Sequence, residues 1–266
     1  FDGLFSGAVC WHWLTKPGHD VSMQGWDFGD PVVELESSGP VYIVDLPFDC
    51  IGETRASSSS VVWIDHHKSS IDKFGDGPCG YRIDGVAACR LAWQWFLLNL
   101  GAYDPGDLDK IAGRHEYVDR RVSEPMALTL AGEYDVWDKR DPDAEAFQFG
   151  LTANGPWTPE RLARVFFAHD LRESVHPECA SFVKDGRAAM RWQQAYAQDV
   201  CRGRGYYGEL GGNRYWALAS VHARNSSWFP NEAVPEDANG LLCYRIEGDG
   251  SVKVSLYNRE GREDVD

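Results

Sequence analysis

Short apolar runs alternate with longer stretches of helical spacing along the first half of the chain. Val41–Val44 and Val61–Ile64 are continuous runs rich in β-branched residues and are typical of buried strands. Apolar positions at helical spacing predict helices over residues 3–14 and 84–100. Because strands and helices alternate, we expect an α/β fold with a parallel sheet.

The second half of the chain also mixes helical and strand patterns. Thr158, as N-cap, followed by Pro159 at the first helical position predicts a helix start, and helical spacing continues with breaks to about residue 200. Residues 201–205 contain two glycines and are typical of a boundary. We therefore expect one domain over residues 1–200 and a smaller one over 201–266. Further expected elements are a strand at 31–35, a helix at 125–132, and strands at 215–221, 240–246 and 252–257.

Charge and composition narrow the classes of partner. The chain has 266 residues with a net charge of −15, which disfavours a tight binder of long duplex nucleic acid. No apolar run approaches the length of about 20 residues that a membrane span needs, so we expect no membrane partner. Seven cysteines without C-x-x-C spacing favour a reducing compartment, and we expect a cytoplasmic protein.

Side chains that could bind a metal follow both predicted strands. Asp45 comes directly after the first strand, and Asp65-His66-His67 comes directly after the second. Asp2 precedes a predicted helix, and Asp135 follows another. Carboxyl ends of parallel strands meet at one edge of a sheet, so these groups are expected to converge there. Packed carboxylates repel one another unless cations neutralise them, which predicts a site for hard divalent ions.

Four of these segments resemble the motifs of the DHH superfamily of phosphoesterases. The opening stretch over residues 1–8 resembles the end of its first motif, and residues 41–47 resemble its second. Residues 61–67, with Asp65-His66-His67, resemble the motif that names the family, and Asp135 with Trp137 resembles the fourth. The resemblance covers about the first 140 residues. It implies an α/β fold in which a parallel-sheet catalytic domain precedes a smaller α/β C-terminal domain, which we expect to be truncated here.

The resemblance also implies roles for individual residues. Asp2, Asp45, His66 and Asp135 would be metal ligands, with Asp138 as the alternative to Asp135. His67 would contact the substrate phosphate, and Asp65 would orient the imidazoles without binding metal. Candidate substrate-binding residues are Asn225, Asn258 and Arg259. The implied cofactor is a pair of Mn²⁺ ions, with Mg²⁺ or Co²⁺ as substitutes, because the ligands are rich in carboxylates and lack thiolates.

The implied activity is two-metal hydrolysis of phosphoester bonds in small nucleotides or short oligonucleotides. Pyrophosphate is a less favoured substrate because the aromatic loops suggest a larger ligand, and a homodimer is left open. Two parts of the family pattern are absent: the His and first Asp of the opening motif, and a glycine-rich segment expected after Arg259. The alternative is therefore a catalytically degenerate module that binds nucleotide or metal. A third interpretation treats the acidic strand ends as structural turns.

Overall fold

The chain is mixed α/β, as the sequence pattern predicts. The computed structural model describes residues 1–27, 29–32, 39–47, 61–74, 79–99, 124–138, 140–167, 177–219 and 233–258. Within these ranges the helices are α1 (Asp2–Thr15), α2 (Lys68–Phe74), α3 (Ala88–Asn99), α4 (Met126–Asp135), α5 (Ala144–Ala153), α6 (Pro159–Phe166) and α7 (Pro177–Arg204). The strands are β1 (Val41–Val44), β2 (Val61–Ile64), β3 (Tyr206–Leu210), β4 (Asn213–Ala219), β5 (Gly240–Ile246) and β6 (Val252–Asn258).

Two compact units divide the chain, Phe1–Arg187 and Ala188–Asp266. The division falls inside α7, whereas the sequence predicts a boundary near residue 200, so that boundary stays a prediction. No helix in the described part of the chain is both long and apolar enough to cross a bilayer.

A small parallel layer forms the centre of the first unit. β1 pairs with β2 in parallel, with Val41 opposite Val61 and Val44 opposite Ile64. An irregular segment at 79–83 continues this layer, since Trp63 N–H donates to the Cys79 carbonyl at 2.8 Å and Asp65 N–H to the Tyr81 carbonyl at 3.1 Å. The parallel pairing confirms the expectation for this region and brings the ends of β1 and β2 to one edge.

Gly80 permits the close approach between that segment and β2. A Cβ atom built on Gly80 would lie 1.9 Å from the Trp63 carbonyl oxygen, and the φ angle of Gly80 is +139°. Only glycine adopts this conformation at so short a distance without displacing the backbone. Trp63 itself is fully buried, and its indole N–H donates to the Leu46 carbonyl at 2.9 Å.

Helices cover the layer through an aromatic core. Phe5 of α1 is fully buried, and its ring lies 5.8 Å from that of Phe166 and 6.3 Å from that of Phe147, between centroids. The predicted start of α6 is confirmed, because Thr158 Oγ1 accepts from Arg161 N–H at 3.2 Å. This packing fixes α1, and therefore the position of its first residues, against the rest of the unit.

The second unit contains a four-stranded sheet in the order β3-β4-β5-β6. β4 and β5 are parallel, whereas the two outer pairings are antiparallel. Buried Leu218, Leu241 and Cys243 pack on one face with Cys201 of α7. The strand predicted at 240–246 is confirmed, and those at 215–221 and 252–257 are confirmed with shifted ends.

Several sequence predictions differ from the structure. Residues 201–204, where a boundary was expected, still belong to α7. β3 follows at Tyr206–Leu210, where no strand was predicted. The helix predicted from residue 84 begins at Ala88, because residues 83–86 form a turn in which Val86 N–H donates to the Ile83 carbonyl at 3.4 Å. Residues 31–32 are not part of a strand, and the rest of the strand predicted at 31–35 lies outside the described residues.

Candidate metal centre

Three carboxylates surround the imidazole of His66. Its Nε2 atom lies 3.3 Å from Asp45 Oδ1, 3.4 Å from Asp135 Oδ2 and 3.6 Å from Asp2 Oδ2. The four residues come from the ends of β1 and β2, the start of α1 and the last residue of α4. The structure thus brings together the four side chains that the family resemblance implies as metal ligands.

Asp2 is held in place by a helix that is distant in sequence. Its Oδ2 accepts from Ala88 N–H at 2.7 Å and its Oδ1 from Cys89 N–H at 2.9 Å. These are N–H groups of the first turn of α3, which have no acceptor within their own helix. The carboxylate is 4% exposed. Asp2 therefore caps α3 and stabilises its positive dipole end while it points at His66.

Asp45 occupies a strained and crowded position. Its φ angle is 57°, a left-handed conformation that aspartate tolerates better than most residues. A Cβ atom on Gly3 would lie 3.1 Å from Asp45 Oδ2, so the small residue next to Asp2 leaves room for this carboxylate. Asp45 Oδ1 is buried and makes no hydrogen bond of full geometry with any described residue. Burial and the charge of Asp2 raise the pKa of Asp45 to about 7.

Asp65 organises the loop that carries both histidines. It is fully buried, and its Oδ1 accepts from the backbone N–H groups of His66 at 2.8 Å and His67 at 3.2 Å. The same oxygen lies 2.7 Å from His67 Nδ1. This hydrogen bond, together with the charge of Asp65, raises the pKa of His67 despite partial burial. The contact fixes the orientation of the His67 ring, as expected from the resemblance, whereas His66 is held through its backbone.

The protonation of the cluster follows from its charges. Burial disfavours the charged form of His66, but the close contact with Asp45 and the charges of Asp2 and Asp135 outweigh it and raise the pKa of His66 to about 9. Burial and the charge of Asp2 raise the pKa of Asp135 to about 6. One imidazolium therefore neutralises part of the charge of a partly buried cluster of carboxylates, and a bound cation would neutralise more of it.

The donor atoms fit a divalent cation. Two groups of potential ligand atoms each lie within 4.8 Å of one another: Asp45, His66 and His67 form one, and Asp2, His66 and Asp135 form the other. Carboxylate oxygens together with an imidazole nitrogen suit Mn²⁺. The buried Asp45 Oδ1 has no hydrogen-bond partner among the described residues, and a bound cation would supply the missing contact. His66 belongs to both groups.

The remaining candidates lie elsewhere or outside the described residues. Asp138 pairs with Arg140 Nε at 3.1 Å, so the geometry favours Asp135 over Asp138 as the candidate ligand. Asn258 is the last residue of β6 in the second unit, and nothing is described of its side chain. Asn225 and Arg259 lie outside the described residues.

One feature beside the cluster was not selected from the sequence as a functional residue. Trp137 follows Asp135 by two residues, has a φ angle of 55° and is 56% exposed. The sequence contained only one hint of this residue, its place in the Asp-x-Trp stretch that resembles the fourth family motif. A positive φ at a tryptophan cannot be predicted from the sequence pattern. The capping of α3 by Asp2 was also missed, because it joins residues 86 and 87 positions apart.

Comparisons of the chain with protein-family models, curated proteins and solved structures found no match. The family resemblance therefore rests on the sequence motifs, and any function must be argued from the geometry of the cluster.

Proposed function

We propose that this protein is a metal-dependent phosphoesterase that hydrolyses phosphoester bonds of small nucleotides or short oligonucleotides. The observation that carries the proposal is the convergence of Asp2, Asp45 and Asp135 within 3.6 Å of His66 Nε2. Carboxylates from three separate segments, one buried and two partly buried, are costly to assemble unless they serve a bound cation or a reaction.

Asp2, Asp45, His66 and Asp135 would hold the metal, with Mn²⁺ favoured and Mg²⁺ or Co²⁺ as substitutes. Bound divalent ions supply Lewis-acid activation of water and neutralise charge on the phosphoryl oxygens, and the family resemblance implies two of them. His66 belongs to both described groups, so two ions would either share this residue or one of them would need a further ligand.

The chain's own residues would bind and orient the phosphate. Asp65 accepts a hydrogen bond from Nδ1–H of His67 and raises the pKa of the ring. In the imidazolium form the other ring nitrogen, on a side chain that is 38% exposed, can donate a hydrogen bond to a phosphoryl oxygen. Asp2 keeps its orientation through α3, which limits the movement of the cluster during turnover. Asp65 would act as a positioning residue and His67 as a residue that contacts substrate.

The substrate class follows from charge and from the resemblance. A net charge of −15 repels long polyanions, whereas a small nucleotide can be held locally by cations bound in the cluster. A cytoplasmic location remains part of the proposal and rests on the odd number of cysteines.

The test is turnover of a substrate panel by the purified chain with added Mn²⁺. The panel contains pApA, a cyclic dinucleotide, phosphoadenosine phosphate and pyrophosphate, with products separated by chromatography. We expect release of mononucleotide or phosphate that is lost in His66→Ala and retained in His19→Ala, an exposed histidine after α1. Equal activity of the two variants would contradict the proposal.

A second candidate is a non-catalytic module that binds a nucleotide or a metal in the same cluster. Three carboxylates within 3.6 Å of one nitrogen, His66 Nε2, favour it, because these groups suffice to bind a single ion. Calorimetric titration with Mn²⁺ separates the two. Binding of one ion without turnover of any panel member supports the module, and turnover supports the enzyme.

A further inference from the structure

We propose that Trp137 is a specificity-determining residue that stacks on the nucleobase of the bound substrate, an inference that rests on the proposed function. Its place in the chain puts it beside the cluster. Asp135 Oδ2 lies 3.4 Å from His66 Nε2, and the Cα atom of Trp137 is two residues further, at most about 7.6 Å from that of Asp135.

The turn after α4 sets this position. Val136 N–H donates to the Gly132 carbonyl at 3.2 Å, Trp137 N–H to the Tyr134 carbonyl at 3.2 Å, and Asp138 N–H to the Glu133 carbonyl at 3.0 Å. These bonds close the end of the helix tightly. The backbone at Trp137 is therefore anchored to the same turn of helix that presents Asp135.

The conformation of Trp137 is unfavourable for a tryptophan. Helices commonly end in a residue with positive φ, and that residue is usually glycine. Among the described residues, Asp45 and Trp137 are the non-glycine residues with positive φ, at 57° and 55°. One is a member of the cluster and the other adjoins it. Strained residues of this kind concentrate at functional sites, where the side chain outweighs the backbone cost.

The exposure of Trp137 fits a ligand-binding platform. Its side chain remains 56% exposed, although its ring lies 5.7 Å from that of Tyr134 with an interplanar angle of 31°. Tyr134 is half-buried and supports the indole from α4. A base stacked on an aromatic ring gains affinity without sequence-specific contacts. In a nucleotide the base is one sugar away from the phosphate, so we infer that an exposed ring two residues after Asp135 can reach the base.

The kinetic test compares pApA with the same dinucleotide lacking the 5′ base, both with Mn²⁺. We expect Trp137→Ala to raise KM for pApA about tenfold, with kcat within twofold and KM for the abasic substrate unchanged. Trp137→Phe should restore most of the affinity. Trp137→Gly suits the positive φ, so it should fold at least as well as the alanine variant while showing the same rise in KM.

Trp192→Ala is the matched control. Trp192 is also exposed, at 69%, and its ring stacks on that of Tyr196 at 5.5 Å, but it lies on α7, which carries none of the clustered residues. This variant should leave KM for pApA unchanged. An unchanged KM in Trp137→Ala, or an equal loss with the abasic substrate, would overturn the inference.

A binding experiment separates this inference from the proposed function. Calorimetry with 5′-AMP and with ribose 5-phosphate, in the presence of Mn²⁺, needs no turnover. We expect the wild type to bind 5′-AMP about tenfold more tightly and Trp137→Ala to bind both ligands alike. If the wild type shows this preference but no turnover, the enzyme proposal fails and the stacking inference stands. If the wild type shows no preference for 5′-AMP, the stacking inference fails whatever the activity.

Discussion

Replacing Asp45 by asparagine should stabilise the metal-free protein and weaken its metal binding at the same time. Burial and the charge of Asp2 raise the pKa of Asp45 from 3.8 to about 7. That difference corresponds to a penalty of about 4 kcal/mol for the ionised carboxylate in the folded state above pH 7. Asparagine removes the charge, but its buried amide N–H groups need acceptors, which costs about 2 kcal/mol. We expect a net gain of about 2 kcal/mol.

The sign of the pH dependence follows from the same shift. Between pH 3.8 and about 7 the folded state holds a proton on Asp45 that the unfolded state has released. The contribution of Asp45 therefore becomes less favourable as pH rises through that window and is fully unfavourable above it. The difference in unfolding free energy between Asp45→Asn and the wild type should change sign: a loss of about 1.5 kcal/mol at pH 4, where the cost of the buried amide dominates, and a gain of about 2 kcal/mol at pH 8.

Urea unfolding in EDTA at these two pH values measures the change in the unfolding free energy of the metal-free protein. The same urea titration with added Mn²⁺ measures how much of the stabilisation by the metal is lost in the variant. Mn²⁺ should stabilise the wild type and stabilise Asp45→Asn much less, because the variant lacks one of the proposed ligands. Asp72→Asn, an exposed aspartate paired with Lys68 at 2.8 Å, is the control for a change of one charge. Destabilisation of Asp45→Asn in EDTA at pH 8, or equal stabilisation of both proteins by Mn²⁺, would refute the reasoning.

Three further predictions concern the scaffold. Asp2→Ala should lower the free energy of unfolding by about 3 kcal/mol, because it removes the acceptor of two backbone N–H groups at the start of α3. Asp2→Asn should lower it by less. Equal losses for the two variants in urea unfolding would contradict the capping role. Burial and the charge of Lys16 lower the pKa of His12 to about 4, so stability should fall by about 2 kcal/mol, allowing for partial solvent screening, as pH drops from 6.5 to 4. His12→Phe should flatten that part of the pH profile of urea midpoints. Gly80→Ala should lower the free energy of unfolding by about 3 kcal/mol, and with it the melting temperature, because the new Cβ would meet the Trp63 carbonyl. An unchanged melting temperature would exclude this close approach.

The local elements near the site were predictable because their signals are local. β1 and β2 are recognisable from β-branched runs, and Thr158 with Pro159 marks the start of α6 by a cap within three residues. Selection of Asp45 and Asp65-His66-His67 as site residues depended only on their place after those strands. The start of α3 was not predictable in this way, because its cap, Asp2, lies far away in the chain.

Sequence by itself determined the mixed α/β class, the parallel pairing of β1 with β2, and which side chains are chemically able to bind a cation. Tertiary structure alone decided that Asp135 rather than Asp138 faces His66, that Asp2 is held by α3, and that Trp137 has a positive φ. Periodicity and capping act over a few residues and can be read along the chain. Distances between α1, α3 and α4 depend on how their buried faces pack, which no local pattern encodes.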